Sequence, residues 1–419
     1  MKTIALGMLT VLPLLAGSFR ASAVKVDITP ETPQWLLGYA PRQSTGVHDH
    51  IFHRVIAMDD GATQFYIVSS DLCLFSPSVY DDVAADLQRE IGIDRKQFWW
   101  AVTHTHSAPE VGPPDIYKMM LKGRSEHEVD RQYTQQIKAS LIEAVKQARA
   151  SLQPARLAIG TGISQANINR RARDVDGKIS LGLNPDGPVD RQIGLIRLER
   201  PDGGLIGLVL NYALHGTVMG GQNQLISGDA PGVVAAYLEQ KLGGTVLYLN
   251  GAAGNAAPIY SVYPDPKSGH LSEFRVLLGD RVLEANARMP RGGDDVRLQA
   301  DETYVETPLK QGLEWPAELA RYAGAGGARI RLPIRFLRIG DTVVWAAPVE
   351  LFSEISIEIR KRSPFTHTFY SGYTNGWLGY LPTAQAFSEG GYEPSTSPFT
   401  PSAEMDVTRH VLNFLQRAR

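Results

Sequence analysis

The sequence has very little cysteine and very little net charge. Cys73 is the one cysteine among 419 residues, so the chain has no internal disulfide. It lies in an apolar run, Val68-Ser-Ser-Asp-Leu-Cys-Leu-Phe75, which predicts a small buried side chain rather than a nucleophile. The formal net charge of −2 is far from the basic balance that nucleic-acid binding needs, and no nucleic-acid partner is predicted.

Long apolar runs are also scarce, and the one that stands out lies at the N-terminus. Residues 4–15 have the length of a signal-peptide core, and Ala21-Ser22-Ala23 is a small-x-small cleavage pattern. The run is shorter than the ~20 apolar residues of a membrane-spanning helix. We therefore expect residues 1–23 to be a signal peptide, and residues 24–419 to be exported, either to the periplasm or as a secreted protein.

Several familiar catalytic motifs are missing. The sequence contains no Gly-x-Ser-x-Gly elbow, no His-Glu-x-x-His, no phosphate-binding Gly-x-x-x-x-Gly-Lys and no Cys-x-x-Cys. Internal repeats and low-complexity tracts are absent as well. With 43% hydrophobic residues, the chain has ample material for a core, and one continuous globular domain over residues 24–419 is predicted.

Strand and helix patterns alternate along the chain and predict an α/β fold. Apolar strand patterns at 64–70, 98–103 and 156–163 alternate with helical spacing at 79–91 and 131–151. Residues 192–199 and 205–213 flank Arg200-Pro-Asp-Gly-Gly204 and predict a hairpin, which makes the sheet mixed. Further helices are predicted at 229–242, 274–289, 351–361 and 403–417, and further strands at 245–249, 330–339 and 342–347. The expected architecture is a mixed sheet core with flanking helices and an active site at the C-terminal ends of strands.

Chemically capable side chains follow several of these strands, which is where open α/β sheets build their sites. His104 and His106 end the aromatic strand at 98–103, and residues two apart in extended backbone face the same side. His215 ends the strand at 205–213, and Glu350 follows the strand at 342–347. Two or three histidines with one carboxylate are the ligand set of a catalytic zinc. The alternatives stay open, because His215 fits an ordinary core histidine and Glu350 fits a helix cap.

In its ordered motifs the chain resembles the neutral, non-lysosomal ceramidases, zinc-dependent amidases that cut the N-acyl bond of ceramide. The resemblance covers most of residues 24–419. It rests on these segments, in the same order: Asp27-Ile-Thr-Pro30, Gly38-Tyr39, His48-Asp-His-Ile-Phe-His-Arg54, Asp59-Asp-Gly61, Ser69-Ser-Asp71-Leu72, Thr103-His-Thr-His-Ser107, Asn167-Ile-Asn-Arg170, Ser227-Gly-Asp229, Gly254 to Pro258, Pro348-Val-Glu350 and Gly379-Tyr380-Leu-Pro-Thr383.

The resemblance implies particular roles for single residues. It implies one zinc ion held by His104, His215, Glu350 and Tyr380, of which only Tyr380 is new to the strand-end argument. It places His106 against the substrate or the metal-bound group, and Arg170 near the scissile amide. It also implies a catalytic domain without the C-terminal immunoglobulin-like domain of the larger ceramidases.

Two departures from the family pattern bear on the reaction. Where ceramidases carry Gly-Asp-x-Ser-Pro with a nucleophilic serine, this chain has Gly254-Asn-Ala-Ala-Pro258, so Ala257 replaces the hydroxyl. Zinc-activated water is then the expected nucleophile, with His106 moving a proton to the leaving group and Arg170, helped by Arg171 and Asn255, stabilising the oxyanion. The family's Asn-Arg-Ser-Pro becomes Asn169-Arg-Arg-Ala172, and the added cation Arg171 favours an anionic or sugar-like substrate.

Three functions follow from these observations. The first is an exported zinc-dependent hydrolase that cleaves the amide of a ceramide-like lipid or a related acylated substrate. The second is a metal-dependent carbohydrate enzyme, a lyase or glycosidase-like protein acting on an anionic glycan. The third is a non-catalytic binding protein that keeps the metal pocket. Contact with a membrane surface is open, since Trp377, Leu378 and Phe387 fit either an apolar rim or ordinary core; no protein partner is implied.

Overall fold

The computed structural model describes residues 19–121, 123, 124, 127–260 and 270–419. The predicted α/β class with mixed sheets and flanking helices is confirmed. None of the described helices is long and apolar enough to cross a membrane.

The strands, in chain order, are β1 (Arg20–Asp27), β2 (Trp35–Leu36), β3 (Arg42–Gln43), β4 (Gly46–Val47), β5 (Phe52–Asp59), β6 (Gln64–Ser70), β7 (Phe98–Val102), β8 (Gln153–Pro154), β9 (Arg156–Ile163), β10 (Asn167–Arg173), β11 (Ile179–Asn184), β12 (Gln192–Glu199), β13 (Leu205–Tyr212), β14 (Leu225–Ile226), β15 (Thr245–Asn250), β16 (Ala256–Pro258), β17 (Leu298–Pro308), β18 (Arg329–Ile339), β19 (Thr342–Ala346), β20 (Glu350–Leu351), β21 (His367–Ser371) and β22 (Tyr380–Leu381). The α-helices are α1 (Pro77–Ile91), α2 (Asp115–Met120), α3 (Arg131–Ala150), α4 (Asp229–Leu242), α5 (Arg281–Arg288), α6 (Ser353–Arg362), α7 (Ala384–Glu389), α8 (Tyr392–Ser395) and α9 (Ala403–Ala418).

Three larger sheets form the centre of the molecule. Their strand orders are β7-β6-β5-β1-β8, β15-β13-β12-β9 and β17-β18-β19-β21. Each of the three contains one parallel pair, β6 with β7, β13 with β15, and β19 with β21, beside antiparallel pairs. The inner faces of the three sheets share one apolar core that includes Ile56, Trp99, Val209, Leu247 and Phe369.

Helices cover the outer faces of these sheets. Helices α1 and α3 pack on the first sheet, α4 and α5 on the second, and α6 and α9 on the third. Local sequence sets the ends of several of them. In α1, for example, the Ser76 side chain accepts a hydrogen bond from the backbone of Ser78, Pro77 opens the first turn, and Gly92 ends the helix with a φ of 70°.

The first strand bears on the predicted signal peptide, most of which lies outside the described residues. All of β1 pairs with β5, from Arg20 opposite Asp59 to Asp27 opposite Phe52. Phe19 and Ala21 are buried, and the Ser22 hydroxyl donates to the carbonyl of Ala148 at 2.5 Å. A chain that starts at Val24 would lose half of this strand, whereas one that starts at Phe19 keeps the strand whole. The signal peptide and its boundary at residue 23 stay predictions.

Candidate active site

His104 lies just beyond the C-terminal end of β7. The prediction assumed extended backbone through this residue, and that premise is wrong, because His104 has a left-handed φ of 62°. The imidazole is nevertheless buried and stacks on the Tyr373 ring, with the ring centroids 4.1 Å apart. Its Nδ1 lies 2.9 Å from the carbonyl oxygen of Cys73 and donates to it, which leaves Nε2 facing the site.

His215 follows β13 and meets His104 through a close backbone contact. Gly216 donates to the carbonyl of His104 at 3.1 Å and accepts from the backbone of His106 at 2.7 Å. A Cβ at Gly216 would lie 2.6 Å from the Thr105 backbone, so this approach requires glycine. The His215 Nδ1 donates to the carbonyl of Ala256 at 3.0 Å, and its Nε2 also faces the site.

Glu350 begins β20 and brings a carboxylate to both imidazoles. Its Oε2 lies 3.1 Å from Nε2 of His215 and 3.5 Å from Nε2 of His104. The Tyr373 hydroxyl donates to Oε2 at 3.1 Å, and the Trp377 indole donates to Oε1 at 2.9 Å. Although burial alone would raise the pKa of Glu350, the contacts with His104 and His215 hold that pKa well below its usual range. The carboxylate is therefore ionised at neutral pH.

These three residues fit a zinc ion. His104, His215 and Glu350 each offer one ligand atom, and these atoms lie within 4.8 Å of one another at fully buried positions. Zinc bonds of ~2.1 Å in a tetrahedron place ligand atoms roughly 3.4 Å apart, which is close to the two distances above. Both imidazoles donate from Nδ1 to a main-chain carbonyl, the second-shell arrangement that turns Nε2 toward the other ligand atoms. Burial, aided by Arg170, also lowers the pKa of His215 to about 3, so its imidazole is neutral.

His106 lies beside this cluster, as predicted. Its Nε2 is 3.2 Å from Nε2 of His104, and its ring packs edge-on against Tyr39. Burial and the neighbouring His104 lower the pKa of His106 well below its usual range. A neutral imidazole at this position can accept a proton from a reacting group.

Arg170 and Tyr380 complete the predicted site. The Arg170 Nη1 donates to Nε2 of His215 at 2.9 Å, and its Nη2 donates to the carbonyl of Gly254 at 2.8 Å and to the Tyr380 hydroxyl at 3.1 Å. Tyr380 pairs with Glu350 through β20 and β22. Its hydroxyl thus contacts Arg170, while the hydroxyl that donates to the Glu350 carboxylate is that of Tyr373.

Asn255 and Arg171, which were predicted to assist Arg170, form their side-chain contacts with other residues. The Asn255 side chain accepts from the backbone of Ser353 at 3.0 Å and donates to Glu354 at 2.7 Å, so it holds the start of α6. Arg171 forms ion pairs with Glu393 at 2.8 Å and Glu389 at 3.3 Å. Because its charge is paired, Arg171 no longer argues for an anionic sugar. Ala257 is buried in β16, opposite Ile168 of β10.

Sequence reasoning missed several residues of the site. Glu393 is fully buried and its Oε1 accepts from Nε of Arg170 at 2.9 Å, a contact across more than two hundred residues. Tyr373 and Trp377 lie in the tyrosine-rich segment 370–380, whose clustering was the only available indication. Trp377 and Leu378 are fully buried, so they belong to the interior and not to an exposed rim, and Phe387 packs partly buried against the same core.

Comparison with known proteins decides the family. The family model described as neutral/alkaline non-lysosomal ceramidase, N-terminal, matches residues 19–255, more than half of the chain. The chain belongs to this family. Glu350, Tyr380 and Glu393 lie beyond the matched residues, and the fold brings them back to His104 and His215.

The relatives support this placement over most of the chain. The neutral ceramidase of Pseudomonas aeruginosa is 27% identical over 476 aligned residues, covering 91% of this chain and 69% of that protein. The neutral ceramidase of Mycobacterium tuberculosis is 28% identical, covering 69% of this chain and 46% of that protein. The crystal structure of the P. aeruginosa enzyme shares the fold with a TM-score of 0.77 at 21% identity, over 94% of this chain and 73% of that one.

Proposed function

We propose that this protein is an exported zinc-dependent amidase that hydrolyses the N-acyl bond of a ceramide-like lipid. One observation carries the proposal: two imidazoles, each donating from Nδ1 to a backbone carbonyl, direct Nε2 at the same oxygen of the Glu350 carboxylate. Family membership supports the amide as the bond that is cleaved, since the relatives are ceramidases by name.

Each residue around the cluster has a separate role in the proposed reaction. When bound, zinc supplies Lewis acidity and lowers the pKa of a coordinated water toward ~7. Tyr373 and Trp377 hold the Glu350 carboxylate in place, because each donates to one of its oxygens. His106 accepts a proton at Nε2 and returns it to the leaving amine. Arg170 stabilises the negative charge that develops on the amide oxygen, with Tyr380 beside it.

Water is the proposed nucleophile because Ala257 has no hydroxyl to attack the carbonyl. The carbohydrate alternative loses the observation that favoured it, since Arg171 is paired with two glutamates. The remaining alternative is a binding protein without turnover, and the experiments below distinguish it from an amidase. Localisation in the periplasm or outside the cell, contact with a lipid surface, and the absence of a protein partner stay predictions.

The test measures zinc and turnover together. We expect about one zinc per chain in the wild type and loss of that zinc in His215→Ala and Glu350→Gln. Turnover of N-palmitoylsphingosine should fall by more than about 100-fold in both, because even loss of a second-shell partner costs roughly 10- to 100-fold. His410→Ala is the matched control, since His410 contacts Thr303 on β17, away from the cluster.

Incorporation of oxygen from labelled water tests directly whether the reaction is a hydrolysis. Hydrolysis by water puts one ¹⁸O atom into the released fatty acid when the reaction runs in H₂¹⁸O. Zinc binding without turnover of any N-acyl lipid would support the binding protein, and a wild-type protein without zinc would overturn the site assignment.

A further inference from the structure

Arg42 is a buried cation beside the site, and it forms no ion pair with any carboxylate in the part of the chain that the structure describes. Its side chain is only 8% exposed. Its Nε donates to the carbonyl of Asn223 at 2.7 Å and its Nη2 donates to the carbonyl of His106, while Nη1 has no hydrogen-bond partner. Burial lowers the pKa of Arg42, because removing the charged guanidinium from water costs free energy that no nearby carboxylate offsets.

The carboxylates in this part of the molecule are engaged with other groups. Glu110 pairs with His127 at 2.6 Å, and Asp229 accepts from the backbones of Val218, Met219 and Ala230. Glu393 serves both Arg170 and Arg171, and Glu350 faces the imidazoles. Among the described residues, none of these acids forms an ion pair with Arg42.

A second arginine contacts the chain segment that lies against Arg42. Arg124 donates to the carbonyl of Gly38 at 3.3 Å and to the Tyr392 hydroxyl at 3.1 Å. The next residue, Tyr39, has its ring centroid 5.0 Å from the Arg42 guanidinium and 4.9 Å from the His106 ring. Two arginines thus contact the segment Gly38–Tyr39, which adjoins His106.

We infer that the substrate is an N-acyl compound that carries an anionic group, a carboxylate or a phosphate, which binds at Arg42 with help from Arg124. This inference rests on the proposed amidase function. Arg42 donates to the backbone carbonyl of His106, and its guanidinium lies 5.0 Å from the ring of Tyr39, which packs against the His106 ring, so a group bound at Arg42 lies next to the site. A guanidinium with a free N–H pairs well with carboxylate or phosphate oxygens, and the anion would offset the buried charge.

The test compares substrates that share one acyl chain and differ in charge. N-palmitoylglycine carries a carboxylate, ceramide 1-phosphate carries a phosphate, and N-palmitoylsphingosine and N-palmitoylglycine methyl ester are neutral. We expect wild-type kcat/KM to favour at least one of the two anionic substrates by about 10-fold or more over its neutral counterpart. Arg42→Met should remove that preference through KM, and Arg42→Lys should restore part of it.

A control variant and a binding measurement keep the outcomes distinct. Arg331→Met is the matched control, because Arg331 stacks on Tyr304 away from the site, and the preference should persist in it. Equal turnover of neutral and anionic substrates, unchanged in Arg42→Met, would overturn the inference and leave the amidase in place. If nothing is turned over, the amidase proposal fails. Calorimetry of N-palmitoylglycine against its methyl ester then decides: a preference for the acid that Arg42→Met removes supports the anion site, and equal binding overturns it.

Discussion

At the scale of single residues, the orientation of Arg170 depends on a carboxylate that serves two arginines. Glu393 accepts from Nε of Arg170 with one oxygen and from Nη1 of Arg171 with the other, and all three groups are buried. Removing one partner of a buried ion pair is costly because the remaining charge loses its compensation. Here the charge left behind belongs to Arg170, the residue proposed to face the reacting amide.

Replacing Glu393 should therefore affect the chemical step. We expect Glu393→Gln to lower kcat on N-palmitoylsphingosine by about 10- to 100-fold with a smaller change in KM, because Arg170 loses its anchor. Glu389→Gln is the control, since Glu389 pairs with Arg171 and Arg173 but not with Arg170. Steady-state kinetics, with the melting temperature of each variant recorded, check the expectation; equal losses in both variants would contradict it.

The sequence indicates the proposed metal ligands better than it indicates the residues that contact them. His104, His215 and Glu350 each end or follow an apolar strand, and that pattern is local. The roles of Glu393 and Tyr373 depend on long-range contacts, which no spacing rule reports. Asn255 was misassigned for the same reason: its motif is local, whereas its partner Glu354 lies 99 residues away.

At the scale of elements, the first strand illustrates how a cleavage pattern can coincide with a β-strand. Ala21 and Ser22 are small, but both are buried, Ala21 in the apolar core shared by the three sheets and Ser22 against Ala148 of α3, and Arg20 forms an ion pair with Asp59 at 2.5 Å. Periodicity predicted the bounds of β6, β9, β12 and α4 as they are found. Periodicity gave no indication of β1, because this strand mixes small, charged and apolar residues. It pairs with β5, which is more apolar.

The strand leads to a prediction about processing. Ala16-Gly17-Ser18 offers an alternative small-x-small pattern directly before Phe19. With export as proposed above, we expect the mature chain to begin at Phe19, because cleavage after Ala23 would remove four paired residues of β1. N-terminal sequencing of the exported protein checks this. A recombinant chain starting at Val24 should have a lower melting temperature than one starting at Phe19, and equal stability would argue against it.

At the scale of the whole molecule, the site joins distant parts of the chain. His104 follows the first large sheet, His215 the second, and Glu350 the third, so the cluster lies where the three sheets meet. The fold class was predictable because strands and helices alternate with clear periods. The division into three sheets was not, since it depends on which strands pair across long loops.

Because the ligands span all three sheets, metal binding should stabilise the molecule as a unit. Removing zinc with a chelator should lower the melting temperature by about 5 °C in a single transition, as expected for a ligand present at roughly a thousand times its dissociation constant. Differential scanning calorimetry with and without chelator measures the change. His215→Ala should show no further loss with chelator, and a wild type that does not respond would count against a structural contribution of the metal.

The left-handed backbone of His104 also bears on how this family diverges. With a φ of 62°, the position is one that glycine adopts more readily than histidine, so the proposed ligand is kept at some cost in stability. In a descendant that no longer needed the metal, drift would favour glycine here, since that change would relax the backbone. A glycine at the position of His104 would therefore mark a lineage that has abandoned catalysis while keeping the fold.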